Sequence, residues 1–180
     1  LPNSIELIGG ENIVVKNCQL GAQPTGITCK VQEVNKLSFI NNQVYPDGRE
    51  NLVLDACNNC VIEGNNFKSY YNGILVLNGN DNTVNKNIFW LTGAVQNQLL
   101  DHGDDFGIIN VKGNNNMVTS NSLSCEWAYA GAVTVNAVQG TGNVFKNCFV
   151  DNLESYRVFL VNAQTEVSNC VSSDKVSIVE

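Results

Sequence analysis

The stretch "NLVLDACNNCVIEGNNF", Asn51 to Phe67, is followed closely by "GILVLNGNDNTVNKNIF", Gly73 to Phe89. Both run as a short apolar strand, a polar turn rich in Asn and Gly, a second short strand, then Asn and a large apolar residue. The same plan is visible upstream in "SIELIGGENIVVKNCQL" and "GITCKVQEVNKLSFINNQV". Downstream it returns in "GIINVKGNNNMVTSNSL", "AVTVNAVQGTGNVFKNCF" and "VFLVNAQTEVSNCV". A repeat of this length governs the fold, because one unit cannot bury its own apolar face and needs neighbours stacked on it. Apolar residues alternate with polar ones over four to six positions, which is strand periodicity, and no 3.6-residue helical period is present.

Followed as Asn17, Asn42, Asn65, Asn87, Asn121, Asn147 and Asn169, the recurring Asn steps by 25, 23, 22, 34, 26 and 22 residues. These steps predict an all-β chain: a parallel β-helix, or solenoid, of about seven coils forming one domain over residues 1–180. Asn suits the corners, since it tolerates left-handed backbone and its amide can bond the equivalent amide one coil away. The one long step predicts a loop inserted between coils over residues 90–107, "WLTGAVQNQLLDHGDDFG".

Strand alternation assigns faces. With Ile5 and Leu7 inward, Glu6 points outward, and its expected counterparts are Thr28, Val53, Leu75, Ile109, Thr134 and Leu160. A mainly apolar outward stripe of this kind predicts self-association.

Bulk properties exclude several partners. Charged residues are 15% of the chain, hydrophobic residues 43%, and the formal charge is −7. Neither nucleic acid nor an anionic membrane surface is expected, since both demand clustered Lys and Arg, and only Arg49 and Arg157 carry guanidinium groups. No apolar run approaches the ~18 residues of a membrane span. "LPNSIELIGG" lacks the basic end and apolar block of an export signal. Seven cysteines are spread without scaffold spacing, and Cys57 with Cys60 forms a lone CxxC that lacks the second half of a zinc motif. Buried thiols, with no metal and no cofactor, are the expectation.

The stretch "DHGDDFG", Asp101 to Gly107, concentrates three carboxylates and the only histidine, His102. "DFG" stands without the other kinase motifs, and the acids lack calcium-loop spacing and its closing Glu. Two readings stay open: a solvated acidic turn, or sugar hydrogen bonding by Asp104 and Asp105 beside Trp90 as a stacking platform. His102 has no recognisable nucleophile and reads as a loop residue. Tyr70 and Tyr71 form either a sugar-binding rim or an interface patch, and "YPDG" reads as a turn. Glu6, held rigidly on a strand between inward neighbours, is a candidate general acid.

The stretches "NSIELIGGENIVVKNCQLGAQPTGI", "FINNQVYPDGRENLVLDACNNCVIEGNNFKSYYNGILVL", "DDFGIINVKGNNNMVTSN" and "AVTVNAVQGTGNVFKN" resemble, in order, coils in the second half of the inulin fructotransferases. The resemblance weakens after about Asn152. It implies a right-handed parallel β-helix, secretion, no cofactor, and a homotrimer with active sites between subunits. It also implies cleavage of terminal difructose units from β-2,1-fructan by intramolecular fructosyl transfer, giving a difructose anhydride. Glu6 matches the Glu of the family's "IEL" strand, one half of an acidic pair. The partner Asp would fall before Leu1, so the resemblance makes this chain the C-terminal part of a longer one, inactive by itself. Two alternatives remain: another β-helical polysaccharide lyase or hydrolase, or a non-catalytic fibre or adhesin.

Overall fold

The computed structural model describes residues 3–22, 26–45, 50–71, 73–92, 106–125, 133–151, 157–171 and 176–179. The regular structure within them is 21 β-strands. The strands form three parallel sheets, called A, B and C in the order the chain visits them, with eight, seven and six strands. The first turn runs through Ile5–Glu11 in sheet A, Val14–Lys16 in sheet B and Gln19–Leu20 in sheet C. Each strand then pairs in parallel with the one a full turn later, as in Val14↔Ser38, Ser38↔Val61 and Thr83↔Met117. The chain is therefore the parallel β-solenoid that the repeat predicts.

The corner from sheet B to sheet C is two residues long in every turn, and it sets the geometry. Its first residue has a left-handed backbone: Asn17, Asn41, Gly64, Lys86, Ser120, Asn147 and Asn169 all have φ between 53° and 66°. Its second residue points inward. Asn42, Asn65, Asn87 and Asn121 occupy this inner position, each 0–1% exposed, and form a ladder. The backbone N–H and side-chain amide of Asn42 both donate to Asn65 Oδ1 (2.8 and 3.0 Å), and Asn65 does the same to Asn87 Oδ1. Asn87 continues to Asn121 Oδ1, and each amide also donates to a backbone carbonyl, as Asn65 does to Phe39 O at 2.8 Å. No buried amide is left without a partner here, and leaving one unpaired would cost about 1–3 kcal/mol.

This geometry corrects the Asn column read from the sequence. Asn17, Asn147 and Asn169 hold the left-handed position, one residue early, and at those turns the inner position belongs to Cys18, Cys148 and Cys170. Cys18 N–H donates to Asn42 Oδ1 at 3.0 Å, and Cys148 N–H donates to Cys170 Sγ at 3.4 Å. Small thiols thus occupy both ends of the asparagine ladder.

A second ladder lines the corner from sheet A to sheet B: Cys60 N–H donates to Asn82 Oδ1, Asn82 to Asn116, and Asn116 to Asn143. The side-chain amides of Asn82, Asn116 and Asn143 donate to the carbonyls of Cys57, Gly79 and Gly113. That column must be small. A Cβ at Gly79 would lie 1.8 Å from Cys57 O, and one at Gly113 would lie 1.7 Å from Gly79 O.

Inside the ring of sheets, inward positions stack like on like. Leu52, Leu75 and Ile109 are fully buried in consecutive turns of sheet A. The Phe67 and Phe89 rings lie parallel, 5.0 Å apart, within the range where offset stacking adds about 0.5–1.5 kcal/mol beyond burial.

The sheet A pairing also corrects the outward column. Ile5 pairs with Cys29 and Glu6 with Lys30, and the register continues through Val53, Val76, Asn110, Asn136 and Leu160. Thr28, Leu75, Ile109 and Thr134 are buried instead, at 0–1% exposure. Cys29 at an inward position concealed the period at that turn. No continuous exposed apolar stripe results: Val53 and Val76 are half-buried and Leu160 is buried.

Connections between sheets C and A vary in length, whereas the B-to-C corner never does. The extra residues after Asn87 enter at this variable edge. Trp90 and Leu91 belong to the strand Ile88–Leu91, paired on both sides, and Gly73 N–H donates to Gly107 O at 2.9 Å. The added length therefore falls within 93–105, outside the described residues.

Two substitutions test this account by urea denaturation followed by circular dichroism. Asn65→Ala orphans the donors of Asn42 and the carbonyl of Phe39, and is expected to lower stability by about 3 kcal/mol. Gly113→Ala forces the backbone of two turns apart and is expected to cost at least as much, about 3 kcal/mol or more. A shift within about 0.5 kcal/mol for either would contradict the ladder or the close stacking.

Candidate functional site

Three of the residues singled out from the sequence, Trp90, Tyr70 and Tyr71, lie near the variable edge between sheets C and A. Trp90 sits near the end of its sheet C strand with its side chain outward and half-buried. Trp90 pairs with Lys68 of the previous turn. The Lys68 ammonium lies 4.1 Å from the centroid of the Trp90 ring, a cation–π contact worth about 0.5–1 kcal/mol at an exposed site. Tyr70, two residues beyond Lys68, is 43% exposed. Tyr45 is equally exposed and lies one residue past the Val44↔Phe67 pair, on the same face one turn earlier. Together these residues make an aromatic strip with one cation. Tyr71 is half-buried, and its backbone N–H is bound by Ser69 Oγ at 3.0 Å.

Trp90 and Tyr70 therefore lie in adjacent turns near the C-to-A edge. Lys68 caps one face of the indole, so Tyr70 and Tyr45 are more open to a sugar ring than Trp90 is. Lys68 and Tyr45 were missed in the sequence. Aligning "NFK" with "IFW" at the recurring Asn would have placed Lys68 beneath Trp90. Asp104, Asp105 and His102 lie outside the described residues.

Glu6 stands elsewhere, at the start of the first sheet A strand, exposed as expected. Its Oε1 is 3.4 Å from Lys30 Nζ, and both side chains are partly solvated. Exposed ion pairs of this type contribute about 0–1 kcal/mol, so the pair orients the carboxylate more than it stabilises the fold. Trp90 lies three turns further along. At the ~4.8 Å strand spacing that is ~14 Å along the solenoid. Tyr45, the first member of the strip, belongs to the second turn and so stands only one turn from Glu6 along the axis.

The CxxC thiols are buried and hydrogen-bonded to backbone. Cys57 Sγ donates to the carbonyls of Val31 (3.5 Å) and Asp55 (3.3 Å), and Cys60 Sγ to those of Asn58 (3.4 Å) and Val34 (3.9 Å). Burial pushes Cys57 up, Cys60 up to about 11 and Cys29 up to about 12. Among the described residues no group of three or more His, Cys, Asp or Glu could hold a metal ion.

A family model described as "Periplasmic copper-binding protein (NosD)" matches residues 1–168. The chain belongs to that family. No curated protein matches it. Among solved structures it is similar to DFA-IIIase from Arthrobacter chlorophenolicus A6. The structure of that enzyme in complex with GF2 superposes with a TM-score of 0.76 at 23% identity, covering 96% of this chain and 46% of that one. The enzyme without its lid gives 0.80 at 19% identity, covering 100% and 53%. The C387A mutant in complex with DFA-III gives 0.74 at 21% identity, covering 96% and 48%. The NosD-family chain thus shares the DFA-IIIase fold and spans about half the length of those chains.

The thiol environments lead to a direct test. At pH 8, iodoacetamide is expected to leave Cys29, Cys57 and Cys60 of the folded NosD-family chain unmodified, and to label them once urea unfolds it. Peptide mass spectrometry reads the outcome, and rapid labelling of the folded chain at Cys57 or Cys60 would revive a redox role for the CxxC.

Proposed function

We propose that the chain is part of a fructan-processing β-helical enzyme that releases terminal difructose units as a difructose anhydride. The observation that carries this reading is the likeness, over 96–100% of the chain, to DFA-IIIase structures that include complexes with GF2 and DFA-III. The outward carboxylate in the "IEL" strand adds to it. Glycosyl transfer needs one carboxyl to protonate the departing oxygen and another to stabilise the oxocarbenium-like centre. In this proposal Glu6 supplies the proton, Lys30 orients it, and the second carboxyl lies outside residues 1–180. Intramolecular closure demands that water be kept from the fructosyl centre, and a cleft between subunits of a trimer would do so. The aromatic strip of Tyr45, Tyr70 and Trp90, with Asp104 and Asp105, would then form the wall that holds the remaining sugar units.

The family's description as periplasmic supports export of this chain as well. Six described cysteines are free, five of them buried, which shields them in an oxidising compartment.

The full-length parent and its Glu6→Gln variant, incubated with inulin and with pectin, test the reading. Cyclic disaccharide from inulin, reduced at least ~100-fold in the variant, is the expected result. Pectin cleavage, or no turnover of either polymer by the parent, would refute it. Tyr70→Ala in the same parent is expected to raise KM for inulin severalfold with kcat retained, because it removes stacking area without touching the proton donor; an unchanged KM would remove Tyr70 from the sugar wall.

A further inference from the structure

A polar pair lies buried where the chain passes from sheet C to sheet A. Thr28 and Asn51 directly precede the sheet A strands Cys29–Asn35 and Leu52–Asp55, and the Cys29↔Leu52 pairing stacks them in consecutive turns. Both are 0% exposed. The next two turns place Ile74 and Ile108 at this position, also buried. Thr28 N–H donates to Glu50 O at 2.8 Å, Thr28 O accepts from the N–H groups of Ser4 and Ile5, and Asn51 O accepts from Cys29 N–H at 2.9 Å. The Asn51 side-chain amide donates to Lys68 O at 2.9 Å and to Tyr45 O at 3.4 Å. Those two carbonyls fix its orientation, because a flipped amide would set Oδ1 against them with no proton between. Asn51 Oδ1 and Thr28 Oγ1 have no hydrogen-bond partner among the described residues, a rare condition for buried oxygens.

We propose that Thr28 Oγ1 and Asn51 Oδ1 form a binding site for one buried water molecule that bridges the second and third turns. Equivalent positions in consecutive turns lie ~4.8 Å apart, too far for a direct O–H···O bond of ~2.7 Å. Two hydrogen bonds of ~2.8 Å meeting at a tetrahedral oxygen span ~4.6 Å, so a single water matches the rise of the solenoid. Its chemistry matches as well. Water donates to Asn51 Oδ1, which can only accept, and its remaining proton or a lone pair serves the Thr28 hydroxyl, which can do either. A cation is disfavoured, since neither oxygen carries charge and a buried ion needs a counter-charge. Ile74 bounds the site on the side of the fourth turn. The bridge joins the two halves of the C-to-A edge: Thr28 leads into the strand that carries Lys30, and the Asn51 amide holds the carbonyls of Tyr45 and Lys68. Water thus couples these turns beneath the aromatic strip, as the amide ladder couples them at the B-to-C corner. This site is independent of the fructan reading.

Two measurements test it. A high-resolution crystal structure of the full chain is expected to show a density peak about 2.6–3.2 Å from both Thr28 Oγ1 and Asn51 Oδ1. Thr28→Val, which keeps the side-chain shape and removes the hydroxyl, then separates the alternatives by sign under urea denaturation. With a bound water, the substitution takes away one of its two partners and should raise the unfolding equilibrium constant about fivefold. With a hydroxyl that is merely unpaired, removing it relieves a desolvation cost and should lower that constant. Should the variant fail to fold, the peak in the unsubstituted chain decides. Absence of the peak, a direct hydrogen bond between the two side chains, or a Thr28→Val chain no less stable than the original would each overturn the proposal.

Discussion

The solenoid depends on one short constraint: a left-handed residue at every B-to-C corner, followed in the four central turns by an inward amide and at the ends of the ladder by a small thiol. The left-handed residue reverses the chain within two positions, and the amide is then held where it meets its equivalents one turn before and after. Two donors converge on a single Oδ1 at each step, as Asn42 N–H and Nδ2 do on Asn65. Register between turns is therefore fixed by polar contacts in a dry interior, where mismatched amides are expensive. The stacked aliphatic and phenylalanine columns follow from that register. They supply most of the burial, but unaided they would tolerate sliding.

Rigidity at one corner allows freedom at another. The C-to-A edge carries connections of differing length, and the candidate residues flank it: Glu6 on the sheet A side, Tyr45, Tyr70 and Trp90 on the sheet C side. Variable segments on a stiff stack are a common way to place recognition groups. Glu6 stands one turn from Tyr45 and three from Trp90, so the full set extends ~14 Å along the axis.

The fold was legible because its determinants are local and repeated. "GNNF", "NKNIF" and "TSNSL" announce the inner Asn directly. The misplaced column arose where "KNC" and "SNC" put an Asn just before the inner position, so the eye follows Asn while the structure follows the residue after it. A thiol can take that place because it is small, tolerates burial and still accepts a hydrogen bond. The face assignment at Thr28 failed for a related reason: Cys29 acts as an inward hydrophobe but does not look like one beside Ile27. The site was less legible. Glu6 outward was a matter of simple alternation, but its pairing with Lys30 and the Lys68 cap on Trp90 are relations between turns. They emerge only once the register is known.

The two-residue corner also bears on how such a chain can change length. Adding or removing one whole turn, such as the 22 residues from one inner Asn to the next, presents the same donors and acceptors to the turns on either side. Any other change must be absorbed outside the two-residue B-to-C corner, chiefly at the C-to-A edge, or it breaks the amide ladder. Tandem duplication of complete turns is thus a low-cost route to a longer solenoid, and variation in size among such chains should come in turn-sized quanta.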